Sequence, residues 1–135
     1  MKGMDNEKAK TAQIIGIIMM VIVGLFFAAD AISHILLLAP VAASFVMLGL
    51  STSLAVPLGF IVLICLVLYL FPRTSVLGAI LLTGYLGGAV MVNVYAKGSL
   101  FGTILFPVYM GIIVWGALFL LEPRVRNLIP SKNRE

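Results

Sequence analysis

The sixteen residues Ile35-Leu-Leu-Leu-Ala-Pro-Val-Ala-Ala-Ser-Phe-Val-Met-Leu-Gly-Leu50 carry no charge, and their reading decides the fold. Counted as a membrane span they give a chain of five helices; set aside, they leave four. They contain Pro40 and Gly49 and run into the polar triplet Ser51, Thr52, Ser53, a good helix start signal before Leu54. On either side, the charges leave uncharged stretches at 11–29, 31–72, 74–96 and 98–121. These predict helices over 12–34, 54–71, 74–96 and 100–121. Pro72-Arg73 forces a tight antiparallel hairpin between the second and third, because Pro72 disfavours a helical conformation at Phe71.

Charge parity decides between four and five. With four helices Lys2, Lys8, Lys10, Arg73, Arg124, Arg126, Lys132 and Arg134 lie on one side and Lys97 alone on the other, which satisfies the positive-inside rule. A fifth span would place Arg73 and the C-terminal bases opposite the N-terminal lysines. The reading is therefore an all-α, integral membrane four-helix bundle with both termini in the cytoplasm. Residues 35–50 then form a short interfacial or re-entrant segment between helices one and two.

Composition agrees. Of 135 residues 62% are apolar and 10% charged, against about 25% charged in a soluble domain. A soluble globule, a second domain and a disulfide framework are all excluded, the last by the single cysteine. The organisation is a cytoplasmic N-terminus over 1–11, one transmembrane domain over 12–122 and a basic cytoplasmic tail over 123–135 that begins at Pro123. Lys8 and Lys10 before an apolar run ending in Ala28-Ala-Asp-Ala31 have the outline of a signal peptide. The run is long for one, and Asp5 and Glu7 fall where only bases belong, so the segment is read as the first helix. The net charge of +4 sits beside helix ends, where each base meets anionic headgroups at about 1 kcal/mol. The partner is the lipid bilayer of the cytoplasmic membrane, crossed several times, and not nucleic acid.

An ionisable side chain inside a span costs about 2.5 to 3.5 kcal/mol at a helix centre and marks a site. Asp30 is the one acid so placed. His34 lies four residues on, about 40° round the helix, so the two share a face and can carry a proton between them. The plainer alternative is that Asp30, about one turn below the outer surface, snorkels or caps the bundle. Asn93, Tyr95, Ser51 to Ser53, Thr103 and Tyr109 fall at or near the same outer ends, which predicts a polar cluster there. Tyr85, halfway along helix three, needs a hydroxyl partner at mid-depth. Tyr69 and Trp115 read as aromatic belt or packing. Gly84 and Gly88, with Gly87, make the small-xxx-small spacing of close helix packing, within the bundle or against a second chain, and equally leave room for a flat ligand. Pro57 and Pro107 predict kinks in helices two and four, each freeing a carbonyl that needs another donor and together widening the outer end into a cavity.

Much chemistry is excluded. One histidine, one cysteine and no acid cluster build no zinc site, iron-sulfur centre or bis-histidine haem. Cys65 reads as an apolar filler. No phosphate loop follows a strand, and no serine-histidine-aspartate set shares a depth. The chain has no self-sufficient catalytic constellation and no covalently bound cofactor.

The runs Ser53-Leu-Ala-Val-Pro-Leu-Gly, Leu68-Tyr-Leu-Phe-Pro-Arg-Thr, Leu77-Gly-Ala-Ile-Leu-Leu-Thr-Gly-Tyr-Leu-Gly-Gly-Ala and Leu105-Phe-Pro-Val-Tyr, with Trp115-Gly, resemble the DoxX-like family over residues 12–130. The resemblance implies a four-helix membrane bundle. It takes its name from a small membrane subunit of a thiosulfate:quinone oxidoreductase, which implies a membrane subunit or accessory factor of a quinone-linked redox system, with quinone as the ligand. A distant similar bundle is a chaperone for neuronal acetylcholine receptors, which implies a non-catalytic chaperone or scaffold instead. Permeation of a small lipophilic compound is a third expectation. Members often carry aspartate followed four residues later by lysine, and a histidine after the glycine-rich run; here those positions hold Asp30, His34 and Asn93. The candidates to bind ligand or carry a proton are Asp30, His34, Tyr85, Asn93 and Tyr109. Gly84, Gly87 and Gly88 are the candidates for packing, within the bundle, against a partner subunit or in a homo-oligomer.

Overall fold

The structure, a computed structural model, describes residues 2–128. Among these described residues four segments are long and apolar enough to cross a membrane: Met4–Ile35, Thr52–Leu70, Ser75–Tyr95 and Leu100–Leu121. They fall on helices α1 (Lys2–Ile35), α3 (Ala55–Leu70), α4 (Ser75–Tyr95) and α5 (Phe106–Leu121); α2 (Ala39–Met47) and α6 (Pro123–Leu128) are short. The expected spans are present. α1 begins well before residue 12, so most of the expected N-terminal segment is helical, with Asp5 in its first turn where the helix dipole favours an acid. Helix α6 occupies the start of the expected tail; Lys132 and Arg134 lie outside the described residues.

Residues 35–50 form no span. Nine residues of helix rise about 14 Å, under half the hydrocarbon thickness, so α2 is too short to cross. Leu37 at φ 48° ends α1, its N–H on the His34 carbonyl and that of Leu38 on Ser33, the paired bonds of a Schellman turn. Gly49 and Lys97 end α2 and α4 the same way, at φ 69° and 53°. Ser51 accepts from the Ser53 N–H and leads a single 3-10 turn into α3.

The four long helices form a ring: α1 packs on α3 and α5, α4 packs on the same two, and α1 and α4 face each other diagonally. Each buries one stripe, Val23, Phe27 and Ala31 on α1, Val62, Leu66 and Tyr69 on α3, Leu82 and Leu86 on α4, Val114 and Leu118 on α5. The opposite faces are exposed and apolar, with Ile18, Leu25, Ile64, Met91 and Ile112 outermost, as lipid contact requires. A Cβ on Gly16 would touch Leu121, so the end of α5 lies beside Gly16, and α1 before Gly16 and α6 after Leu121 stand at the same end of the bundle.

The hairpin is tight. Phe71 is extended (ψ 123°) before Pro72, the Thr74 hydroxyl donates to the Leu68 carbonyl at 2.8 Å, and Arg124 donates to the Pro72 carbonyl at 2.6 Å. Pro57 and Pro107 do not kink their helices. Pro107 is the second residue of α5 and Pro57 the third of α3, in the first turn where the missing N–H has no intrahelical acceptor. The fourth span is instead interrupted by a π turn over Leu100–Ile104 ahead of α5. Tyr69 lies in no interfacial belt: it is wholly buried, its hydroxyl donating to the Val114 carbonyl at 2.9 Å.

Candidate ligand cavity beneath α2

Asp30 and His34 sit one turn apart in the last part of α1, on one face, as their spacing demands. The imidazole Nδ1 lies 2.9 Å from the main-chain carbonyl of Asp30 and 3.7 Å from its carboxylate Oδ1. The first is a hydrogen bond; the second is too long for one. The carboxylate's close partner is on the diagonal helix: the Tyr85 hydroxyl donates to Asp30 Oδ2 at 2.6 Å. That bond is the mid-depth partner Tyr85 required, and it joins two residues that sequence places at different depths. The Tyr85 ring packs edge-on against Phe27, centroids 6.2 Å apart, which aims the hydroxyl at α1.

Gly59 fixes where α3 meets this turn. A Cβ there would lie 2.8 Å from the Ala31 carbonyl oxygen and 2.9 Å from His34 Cβ, so only glycine lets α3 close on α1 beside the pair. From above, Phe45 of α2 packs edge-on to the imidazole with centroids 6.2 Å apart. α2 thus roofs a cavity of about 770 Å³ lined by Asp30, His34, Phe45, Leu58, Tyr85 and Asn93 among others, within the usual range for small-molecule sites. Asp30 and His34 are 25% and 12% exposed.

The other candidates divide. Asn93 lines the cavity, and its amide donates to the Thr103 carbonyl at 3.0 Å. That bond ties α4 to the π turn ahead of α5. Tyr109 is not brought to the cavity: it is 42% exposed and faces outward from α5. Gly88 lines the cavity wall. Gly84, Gly87 and Gly88 do not pack within the bundle as the spacing led one to expect, since nothing among the described residues lies within 4 Å of a Cβ built on any of them. The close approaches are at Gly59 and Gly78 instead. Trp115 donates to the Thr83 hydroxyl at 2.9 Å, tying α5 to α4, a bond sequence reading missed because nothing in the spacing pairs them.

Gly84→Leu is accordingly expected to leave the isolated chain as stable as wild type, or to stabilise it by up to about 1 kcal/mol through helix propensity. Thermal unfolding in detergent checks this, and a fall in midpoint of several degrees would show that the site is packed.

No curated protein and no solved structure matches the chain. A family model described as the DoxX-like family matches residues 18–117, about three quarters of the chain, from before Asp30 to beyond Trp115. The match takes in both diagonal walls of the cavity, its roof and the Pro72 hairpin, and the helical architecture is that of a multi-pass membrane protein; the chain belongs to the DoxX-like family.

Proposed function

We propose that this chain binds a lipophilic ring of the quinone class, as a membrane subunit or accessory factor of a quinone-linked redox system. The observation that carries the reading is the cavity itself: about 770 Å³ of mostly apolar wall with the Asp30, Tyr85 and His34 polar groups gathered at one place. An apolar site with a few convergent polar groups suits a hydrophobic molecule whose head must be oriented. A bare glycine at Gly88 beside Tyr85 leaves flat space for a ring. The DoxX-like resemblance to a quinone-linked subunit supports the same class, as analogy.

Purified protein in nanodiscs, mixed with a decyl-substituted benzoquinone and its hydroquinone together, is expected to gain about 2.7 kcal/mol of stability at a hundred times the dissociation constant. This appears as a rise of several degrees in the unfolding midpoint. Absence of any shift with both forms present would end the reading.

The positive-inside rule supports a cavity on the non-cytoplasmic side of the cytoplasmic membrane, because among the described residues every Lys and Arg but Lys97 belongs to the segments at the other end of the bundle. With Lys97→Cys, a membrane-impermeant maleimide is expected to label spheroplasts at that position, and a fusion after the C-terminus to report cytoplasm. The reverse pattern would invert the orientation.

A second reading rests on a different observation, the exposed Gly84 and Gly87 face on which none of the described residues packs. As a scaffold or chaperone the chain would receive a partner helix there. Gly84→Leu would then abolish co-purification of a membrane partner while the chain itself stays folded.

A further inference from the structure

The polar side chains that line the cavity turn their hydrogens toward the protein. The Tyr85 hydroxyl donates to Asp30 Oδ2 at 2.6 Å, and the Ser44 hydroxyl donates to the Pro40 carbonyl at 2.9 Å. One amide hydrogen of Asn93 is held by the Thr103 carbonyl. His34 Nδ1 meets the Asp30 main-chain oxygen, which can only accept, so Nδ1 is the donor there, and it is the tautomer with this donor that turns an Nε2 lone pair to a ligand. What remains for a ligand is a set of acceptors, with the second Asn93 amide hydrogen as the exception. Among the described residues Asp30 Oδ1 and His34 Nε2 have no hydrogen-bond partner, yet no sealed side-chain polar atom there lacks one. Both atoms are therefore accessible, and both residues line the cavity.

We infer that the cavity selects a lipophilic ring bearing hydroxyl donors, the hydroquinone form of a quinone-class ligand, over the carbonyl-only quinone. This rests on the quinone-class reading and sharpens it. A hydroquinone hydroxyl donates to Asp30 Oδ1 or His34 Nε2, which stand one turn apart on the same face of α1. A quinone carbonyl set against the same atoms puts lone pair against lone pair and leaves all of them desolvated without a partner. Gly88 and Ala89 across the cavity give the ring its flat wall.

The test is isothermal titration of the full chain in nanodiscs, without oxygen, with three matched probes: a decyl-substituted benzoquinone, its hydroquinone and the hydroquinone dimethyl ether. The hydroquinone is expected to bind about tenfold or more tighter than the other two, the worth of one hydrogen bond to a charged acceptor. In Asp30→Asn the new amide keeps an oxygen for Tyr85 and offers hydrogens to the cavity, so the preference is expected to shrink to about twofold or to reverse. Equal or tighter binding of the quinone by wild type overturns this inference and leaves the quinone-class site standing. A hydroquinone preference that survives Asp30→Asn unchanged also overturns it, because the selecting acceptor then lies elsewhere. Failure of all three probes to bind overturns the quinone-class reading and the inference with it.

Discussion

Gly78→Ala is expected to destabilise the bundle by about 3 kcal/mol or more, and Gly78→Val to prevent its assembly. A Cβ at residue 78 would overlap the Tyr69 main-chain nitrogen and Cα and come within 2.7 Å of the Leu68 carbonyl carbon. The colliding atoms are backbone, so no rotamer change relieves them. Overpacking that side chains absorb costs about 1 to 3 kcal/mol; larger losses follow when the backbone must move. Here movement is opposed from three directions. The Tyr69 hydroxyl holds α3 to the Val114 carbonyl, the Thr74 hydroxyl holds the hairpin to Leu68, and Arg124 holds it to Pro72. Unfolding in graded SDS, followed by circular dichroism, measures the loss, with Gly84→Ala as the reference for helix propensity alone. Equal midpoints for the two variants would show that α3 and α4 are not in backbone contact.

Tyr85→Phe is expected to cost about 1.5 to 3 kcal/mol, more than hydrogen bonds between membrane helices usually contribute. Such bonds average about 0.6 kcal/mol because the separated helices find other partners. The Asp30 carboxylate has a charged acceptor's larger stake, and losing the hydroxyl leaves Oδ2 unpaired in an apolar wall. The bond also spans the diagonal between α1 and α4, beside the edge-on contact of Phe27 with Tyr85, so it ties the two sides of the cavity together. Combining Tyr85→Phe with Asp30→Leu is expected to recover part of the loss, since removing both partners leaves no orphan. A double-mutant cycle in SDS unfolding reads the coupling directly. Additivity within about 0.5 kcal/mol would mean that the two side chains act independently.

These two effects show where sequence reading stops. The spacing of Gly84 and Gly88 is as good a packing signal as any in the chain, yet nothing touches either, while Gly78 carries the contact. Six residues at about 100° each put Gly84 some 120° round the helix from Gly78. Spacing defines a face but not what stands opposite it. Tyr109 and Asn93 differ for the same reason: both lie near the same end of the bundle, but only Asn93 lies on the cavity wall. Pro57 and Pro107 read as kinks because the helix starts were placed too early; a π turn and a 3-10 turn put both prolines in first turns.

The sequence by itself determined the four spans, the hairpin at Pro72 and the exclusion of residues 35–50 as a fifth span. Each follows from hydropathy, charge or backbone sterics, which act along the chain and need no neighbour. The tertiary structure alone decided that Asp30 answers to Tyr85 as well as to His34, that α2 roofs a cavity over them, and that Gly59 and Gly78 set the helix approaches. Those depend on which faces the ring of four helices turns toward one another. Faces that are nearly all apolar, with the polar groups this few, do not specify that rotation one helix at a time.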